Sequence, residues 1–149
     1  MGHTTYSLLM SPDGRSIYIV DYGRQTITVV NTADRQVART VNLDRRMTKG
    51  PLCAAVLSPT GDRLYIAARD GNDGDGIDVI DPDTFQRVAH FFPGRDFYCL
   101  AITPDGTRLY ADTQRELLTI DAATGEELDS VPIDSDPAAP YLGLATASG

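Results

Sequence analysis

The chain has 149 residues, 42% of them hydrophobic and 23% charged, with a formal net charge of −8 and a pI near 4.5. That composition suits one soluble globular domain with its own core, not a disordered segment. An acidic surface repels phosphate backbones, so nucleic acid is not an expected partner, and no apolar run approaches the roughly 18 residues of a membrane helix.

In chain order, the first residues, MGHTTYSLLM, lack the basic start and apolar stretch of a signal peptide. This assigns no compartment: a soluble chain of this kind suits the cytoplasm, or a secreted or periplasmic place where a leader has been removed. A first strand is expected in YSLLM (6–10). It is followed by a Pro-Gly turn, SPDG (11–14), and by a second strand, SIYIV (16–20). A third strand, TITVV (26–30), and a fourth, QVARTV (36–41), complete the unit. The same order returns in CAAVL (53–57), SPTG (58–61), RLYIA (63–67), IDVID (77–81) and RVAHFF (87–92). It returns again in CLAIT (99–103), TPDG (103–106), RLYAD (108–112), LLTID (117–121) and EELDSV (126–131). The turn onsets Ser11, Ser58 and Thr103 lie 47 and 45 residues apart. A period of this size marks a solenoid, a propeller or an array.

The apolar pattern selects among these. The first three strands of each unit are almost continuously apolar, as in Ile17-Tyr18-Ile19-Val20, which implies cover on both faces. The fourth carries Arg39, Arg87, Glu126, Glu127 and Asp129, and one copy reaches Pro132, all residues of a solvent-facing edge. The fold class is therefore all-β: three four-stranded antiparallel meanders that stack face to face as β-propeller blades. Blades are expected over 4–43, 51–92 and 97–133, with a partial first strand at 140–145 in PYLGLATASG.

LYIAARDGNDGDGIDVIDPDTFQRVAHF and IYIVDYGRQTITVVNTADRQVARTV resemble the YVTN family of propeller repeats. LYADTQRELLTIDAATGEELDSV is a looser copy that replaces the tyrosine motif with Ala111-Asp112. The resemblance covers residues 6 to 133 and implies a propeller fold. The blade is WD40-like, but the absence of tryptophan argues against WD40 repeats proper. The family implies no single activity, since such propellers serve in surface proteins, in cofactor-dependent dehydrogenases and in lactonase-like enzymes.

Propellers close with about four to eight blades, so three would leave two apolar flanks larger than the ~300–600 Å² a monomer tolerates. The expectation is self-association into a six-bladed two-fold dimer, latched by the strand at 140–144. The alternative is that the chain is one part of a longer propeller.

Loops joining the second and third strands, and links between units, gather at one end of the meanders and vary between copies. A binding surface is expected there. One candidate is the cationic set Arg45, Arg46, Lys49, Arg69 and Arg95, with Tyr98, which could meet a carboxylate or phosphate. The alternative is that these charges pair with their sequence neighbours Asp44, Asp70 and Asp96. A second candidate is DGNDGDGID (70–78), where Asp70, Asp73 and Asp75 could ligate calcium. The EF-hand register fails, however, and a solvated loop explains the stretch as well.

No catalytic set is legible. The two histidines are His3 in the tail and His90 in an outer strand with no partner evident, and no GxSxG, HExxH, CxxCH or P-loop occurs. Cys53 and Cys99 fall on opposite faces by strand period and should be buried thiols, not a disulfide; zinc spacing is absent. The reading is a non-enzymatic propeller module that presents loops for protein or ligand binding, with no cofactor. The alternative is part of a propeller enzyme, lactonase-like or dehydrogenase-like, whose catalytic groups lie elsewhere.

Overall fold

The structure, a computed structural model, describes residues 6–21, 24–42, 52–68, 76–95, 97–113 and 115–133. Twelve strands form three sheets, each in sequential order. The first holds β1 (Tyr6–Met10), β2 (Ser16–Asp21), β3 (Thr26–Asn31) and β4 (Val37–Asn42). The second holds β5 (Leu52–Leu57), β6 (Leu64–Ala68), β7 (Gly76–Ile80) and β8 (Arg87–Phe91). The third holds β9 (Cys99–Ile102), β10 (Arg108–Asp112), β11 (Glu116–Asp121) and β12 (Glu127–Pro132). The sheets touch along their first strands, β1 with β5 and β5 with β9. Among the described residues no helix is long and apolar enough to cross a membrane. The expected strand at 140–145 lies outside the described residues.

Two requirements explain why the turn phrase repeats. In each copy the glycine amide donates to the opening Ser or Thr carbonyl, Gly14 to Ser11 (2.9 Å), Gly61 to Ser58 (2.8 Å) and Gly106 to Thr103 (2.9 Å). All three glycines have left-handed φ, between 72° and 78°, which suits a residue without Cβ. The opening hydroxyl and a turn aspartate then tie off the remaining polar groups. Ser11 Oγ donates to Asp13 (2.7 Å), Ser58 Oγ to Asp62 (2.8 Å) and Thr103 Oγ1 to Asp105 (2.6 Å). The same hydroxyls accept from the amides of Ser16, Arg63 and Arg108.

Neighbouring turns also touch. A Cβ added to Gly61 would lie 2.8 Å from Pro12 of the preceding turn, and one on Gly106 would lie 3.1 Å from Pro59. Proline of one turn thus rests on glycine of the next. Gly14 has nothing within 4 Å of that position among the described residues.

The pairing register sorts side chains onto two faces of each sheet. The rear face of the first sheet offers Val20, Ile27 and Val29, with Leu9, Tyr18 and Val41. It packs on the front face of the second, which offers Ala55, Leu64, Ile66 and Ile80 with Phe85. The rear face of the second (Tyr65, Ala67, Ile77, Val79, Phe91) packs in the same way on Leu100, Leu109, Ala111, Leu118 and Ile120 of the third. Every residue of β7, in the middle sheet, is buried.

The end sheets depart from the two-faced cover that their apolar runs imply. On the front face of the first sheet Leu8, Met10 and Val37 are 70%, 59% and 61% exposed, and Ile17, Ile19 and Val30 are only half-buried. On the rear of the third, Val131 is 51% exposed and Ala101, Tyr110 and Leu117 are half-buried. The runs encode a cover that the described residues do not supply. Cys99 carries no disulfide and is half-buried, not buried, because it lies in the same third sheet. The side chain of Cys53 lies outside the described residues.

The third and fourth strands of each sheet are joined by a turn with one left-handed position, filled by Arg35 (φ 58°), Phe85 (φ 58°) and Gly125 (φ 78°). A Cβ on Gly125 would run into the Phe91 ring. Gly125→Ala is therefore expected to lose about 2–5 kcal/mol, combining left-handed strain with overpacking. Gly94→Ala, also left-handed but open, should lose about 1–2 kcal/mol. Urea unfolding of the two variants checks the difference.

Candidate functional site

The antiparallel meanders place two kinds of connection at opposite ends. The Pro-Gly turns and the third-to-fourth-strand turns share one end, where Thr32 donates from its amide to Arg15 O (3.0 Å) and Ala122 from its amide to Thr107 O (3.1 Å). The described residues of connections that differ between copies, such as Arg24 and Arg95, lie at the other. Of the cationic set, Arg45, Arg46, Lys49 and Arg69 lie outside the described residues, as do Asp70, Asp73 and Asp75.

Arg95 is described, in the link between the second and third sheets. Its guanidinium lies 3.4 Å from Glu116 and 3.5 Å from Glu127, and 5.7 Å and 6.0 Å from the ring centres of Phe92 and Phe97. The sequence neighbour expected to neutralise it, Asp96, lies outside the described residues. The observed partners come instead from β11 and β12, which short-range reading could not supply. Held in this way, Arg95 anchors its link to the third sheet. Tyr98 is half-buried, and its amide donates to Asp112 O (2.8 Å). The carboxylates of Asp21 and Asp112 are buried at corresponding ends of β2 and β10, and Asp21 accepts from the Arg24 amide (3.0 Å).

His90 has a neighbour that the sequence did not reveal. Register pairs it with Asp78, whose side chain is 3% exposed, and His90 Nε2 lies 3.9 Å from Asp78 Oδ1. Arg87 donates to the same oxygen at 3.2 Å. A bulge between Val79 and Ile80 brings Arg87 within reach, and no count along the chain predicts it. Burial among apolar side chains drives the Asp78 pKa up to about 6, with His90 and Arg87 opposing the rise. The group faces the junction with the first sheet, and among the described residues no cluster of three or more ligand-type side chains could hold a metal. The arrangement neutralises a buried carboxylate.

A cleft of about 380 Å³ opens at the turn end between the second and third sheets. Its floor is apolar, with Val79, Ala89, Phe91 and Ala122, and its rim carries Asp62, Arg63 and Asp105. Tyr65 forms one wall, and its hydroxyl donates across the junction to Ala122 O at 2.9 Å.

No protein-family model and no curated protein sequence matches the chain. Solved structures do resemble it. Hydrazine synthase of Kuenenia stuttgartiensis matches over 85% of this chain with a TM-score of 0.68 and 21% identity. The WD40 repeats of RRP9 match over 91% with a TM-score of 0.73 and 16% identity. The chain spans 35% and 41% of those two chains. At such identities the likeness is one of fold, and the three sheets are blades of a WD40-like β-propeller.

Asp78 gives the molecule a pH signature. Its folded pKa lies above the ordinary value of 3.8, so the folded chain binds this proton more tightly than the unfolded chain. The stability it contributes is complete below pH 3.8 and is lost as pH rises through about 6. Asp105, pushed down to about 2 by its hydroxyl and amide donors, acts in the opposite sense, losing stability as pH falls below the usual carboxylate range. Asp78→Asn should remove a decline of as much as about 3 kcal/mol between pH 4 and pH 7, read from urea unfolding at each pH against the parent protein.

Proposed function

We propose that the chain is a non-enzymatic propeller module of YVTN type, one that mediates protein interactions and completes its ring with a second copy of itself. One observation carries this reading. Each internal junction mates a rear face and a turn proline with a front face and a turn glycine, and among the described residues the first and third sheets each keep one half of that match exposed. Gly14 and the Leu8, Met10, Val37 face stand at the start, and Pro104 with the Tyr110, Leu117, Val131 face stands at the end. Rear-to-front contact between two copies, made twice about a two-fold axis, would satisfy both and give six blades. The exposure of Leu8, Met10 and Val37 on one flank and of Val131 on the other supports this, since grouped exposed apolar side chains mark interaction surfaces.

The end with variable loops is the surface we assign to other partners. There Arg45, Arg46, Lys49 and Arg69, with Tyr98, would meet an acidic group, while Arg95, paired with Glu116 and Glu127, holds its link in place. The likeness to the RRP9 WD40 repeats supports an interaction role at the level of fold.

Light scattering after size exclusion should give twice the 16.1 kDa chain mass. Leu8→Asp and Val131→Asp, placed on the exposed front and rear faces, should each return the mass to 16.1 kDa with an unchanged circular dichroism spectrum. A parent protein that stays at the single-chain mass, or variants that keep the doubled mass, would refute ring completion by a second copy.

A further inference from the structure

We propose that the cleft between the second and third blades receives an arginine side chain from a basic peptide segment of a partner. The occupant is identified by the corresponding place one junction earlier. That place is occupied by the chain itself, by the exposed Arg39 of β4. Its guanidinium lies 4.7 Å over the Phe85 ring and donates to Asp83 O at 2.8 Å. Arg39 pairs with Val29 in the first blade as Ala89 pairs with Val79 in the second, so the two positions are equivalent. Asp83 and Ala123 are equivalent too, since their amides donate to Asp81 and Asp121 in the same turn.

At the second junction the occupant is cut back and the slot stays. Ala89 stands in place of Arg39, Ala123 in place of Asp83, and Gly125 in place of Phe85. The aromatic surface under the slot is retained by a different route, with Phe91 lying over Gly125 and 6.5 Å, ring to ring, from Tyr65. An incoming guanidinium would meet the parts of Phe91 and Tyr65 that line the cleft, and a main-chain carbonyl at the position that Asp83 supplies to Arg39.

Charge favours the same occupant. Asp62 and Asp105 stand on the rim, each held below the ordinary carboxylate range by hydroxyl donors, Thr60 and Ser58 for one and Thr103 and Thr107 for the other. Arg63 shares the rim, with its guanidinium on Asp62 O at 2.7 Å, which leaves one net negative charge. The chain as a whole is at −8, which steers a basic segment toward it. Arginine is favoured over lysine because a planar fork can stack and donate at once. The site lies within the chain, at the end opposite the variable loops, so it does not depend on ring completion.

The test uses the ¹⁵N-labelled full chain titrated with acetyl-Gly-Arg-Gly-amide and with its lysine, citrulline and phenylalanine counterparts. Saturable shifts at Ala89, Gly106 and Ala123 are expected with the arginine peptide, weaker ones with lysine and none with citrulline. Asp62→Asn or Asp105→Asn should weaken binding by about two- to fivefold, the range of a solvent-exposed charge pair. Ala89→Arg supplies the guanidinium from within and should abolish binding without lowering the melting temperature. Ala89→Leu fills the slot without charge, should also abolish binding, and replaces that variant if it fails to fold. No shifts at the cleft, equal shifts with citrulline, tighter binding of the phenylalanine peptide, or binding retained when the slot is filled would each overturn the assignment.

Discussion

The mating of one sheet's rear face with the next sheet's front face is the contact on which the rest of this molecule depends. Each sheet is apolar on both sides, so none is stable alone. Burying a single leucine or isoleucine contributes about 1.5–3 kcal/mol, and each junction buries several. The two junctions reach the same end with different volumes. Val41 packs against the cluster that holds Phe85 at the first, whereas Phe91 meets Gly125 at the second. A large residue on one side is answered by a smaller one on the other, as close packing requires. This exchange of sizes is also what leaves a cleft at the second junction while Arg39 covers the first.

The turns give that stack its rigidity. The proline-on-glycine contacts form a row along one end, each glycine held left-handed and each turn aspartate committed to local donors. Among the described residues the two junctions differ in side chains between blades, such as Arg39 and Ala89, whose identity the backbone does not dictate. Function in this fold therefore resides in what a blade carries, not in how it is built.

Much of this was readable residue by residue. The tyrosine-isoleucine strands, the Ser/Thr-Pro-Gly turns and the charged outer strands each name a local geometry, and the structure forms all three where the repeat puts them. Less of the site was readable. Arg95 finds Glu116 and Glu127 in strands 21 and 32 residues on, and His90 meets Asp78 across a pair of strands. The bulge that brings Arg87 to Asp78 has no sequence signal of its own. The cleft is less legible still, because Ala89 and Gly125 are unremarkable residues until they are set against Arg39 and Phe85.

By itself the sequence determined which segments extend, where they reverse and which faces avoid water, because these follow from backbone preference and side-chain period within a few residues. Only the tertiary structure decided which proline rests on which glycine, how the buried Asp78 is neutralised, and where a junction is full or open. Those outcomes depend on side chains tens of residues apart that meet only once the sheets have stacked.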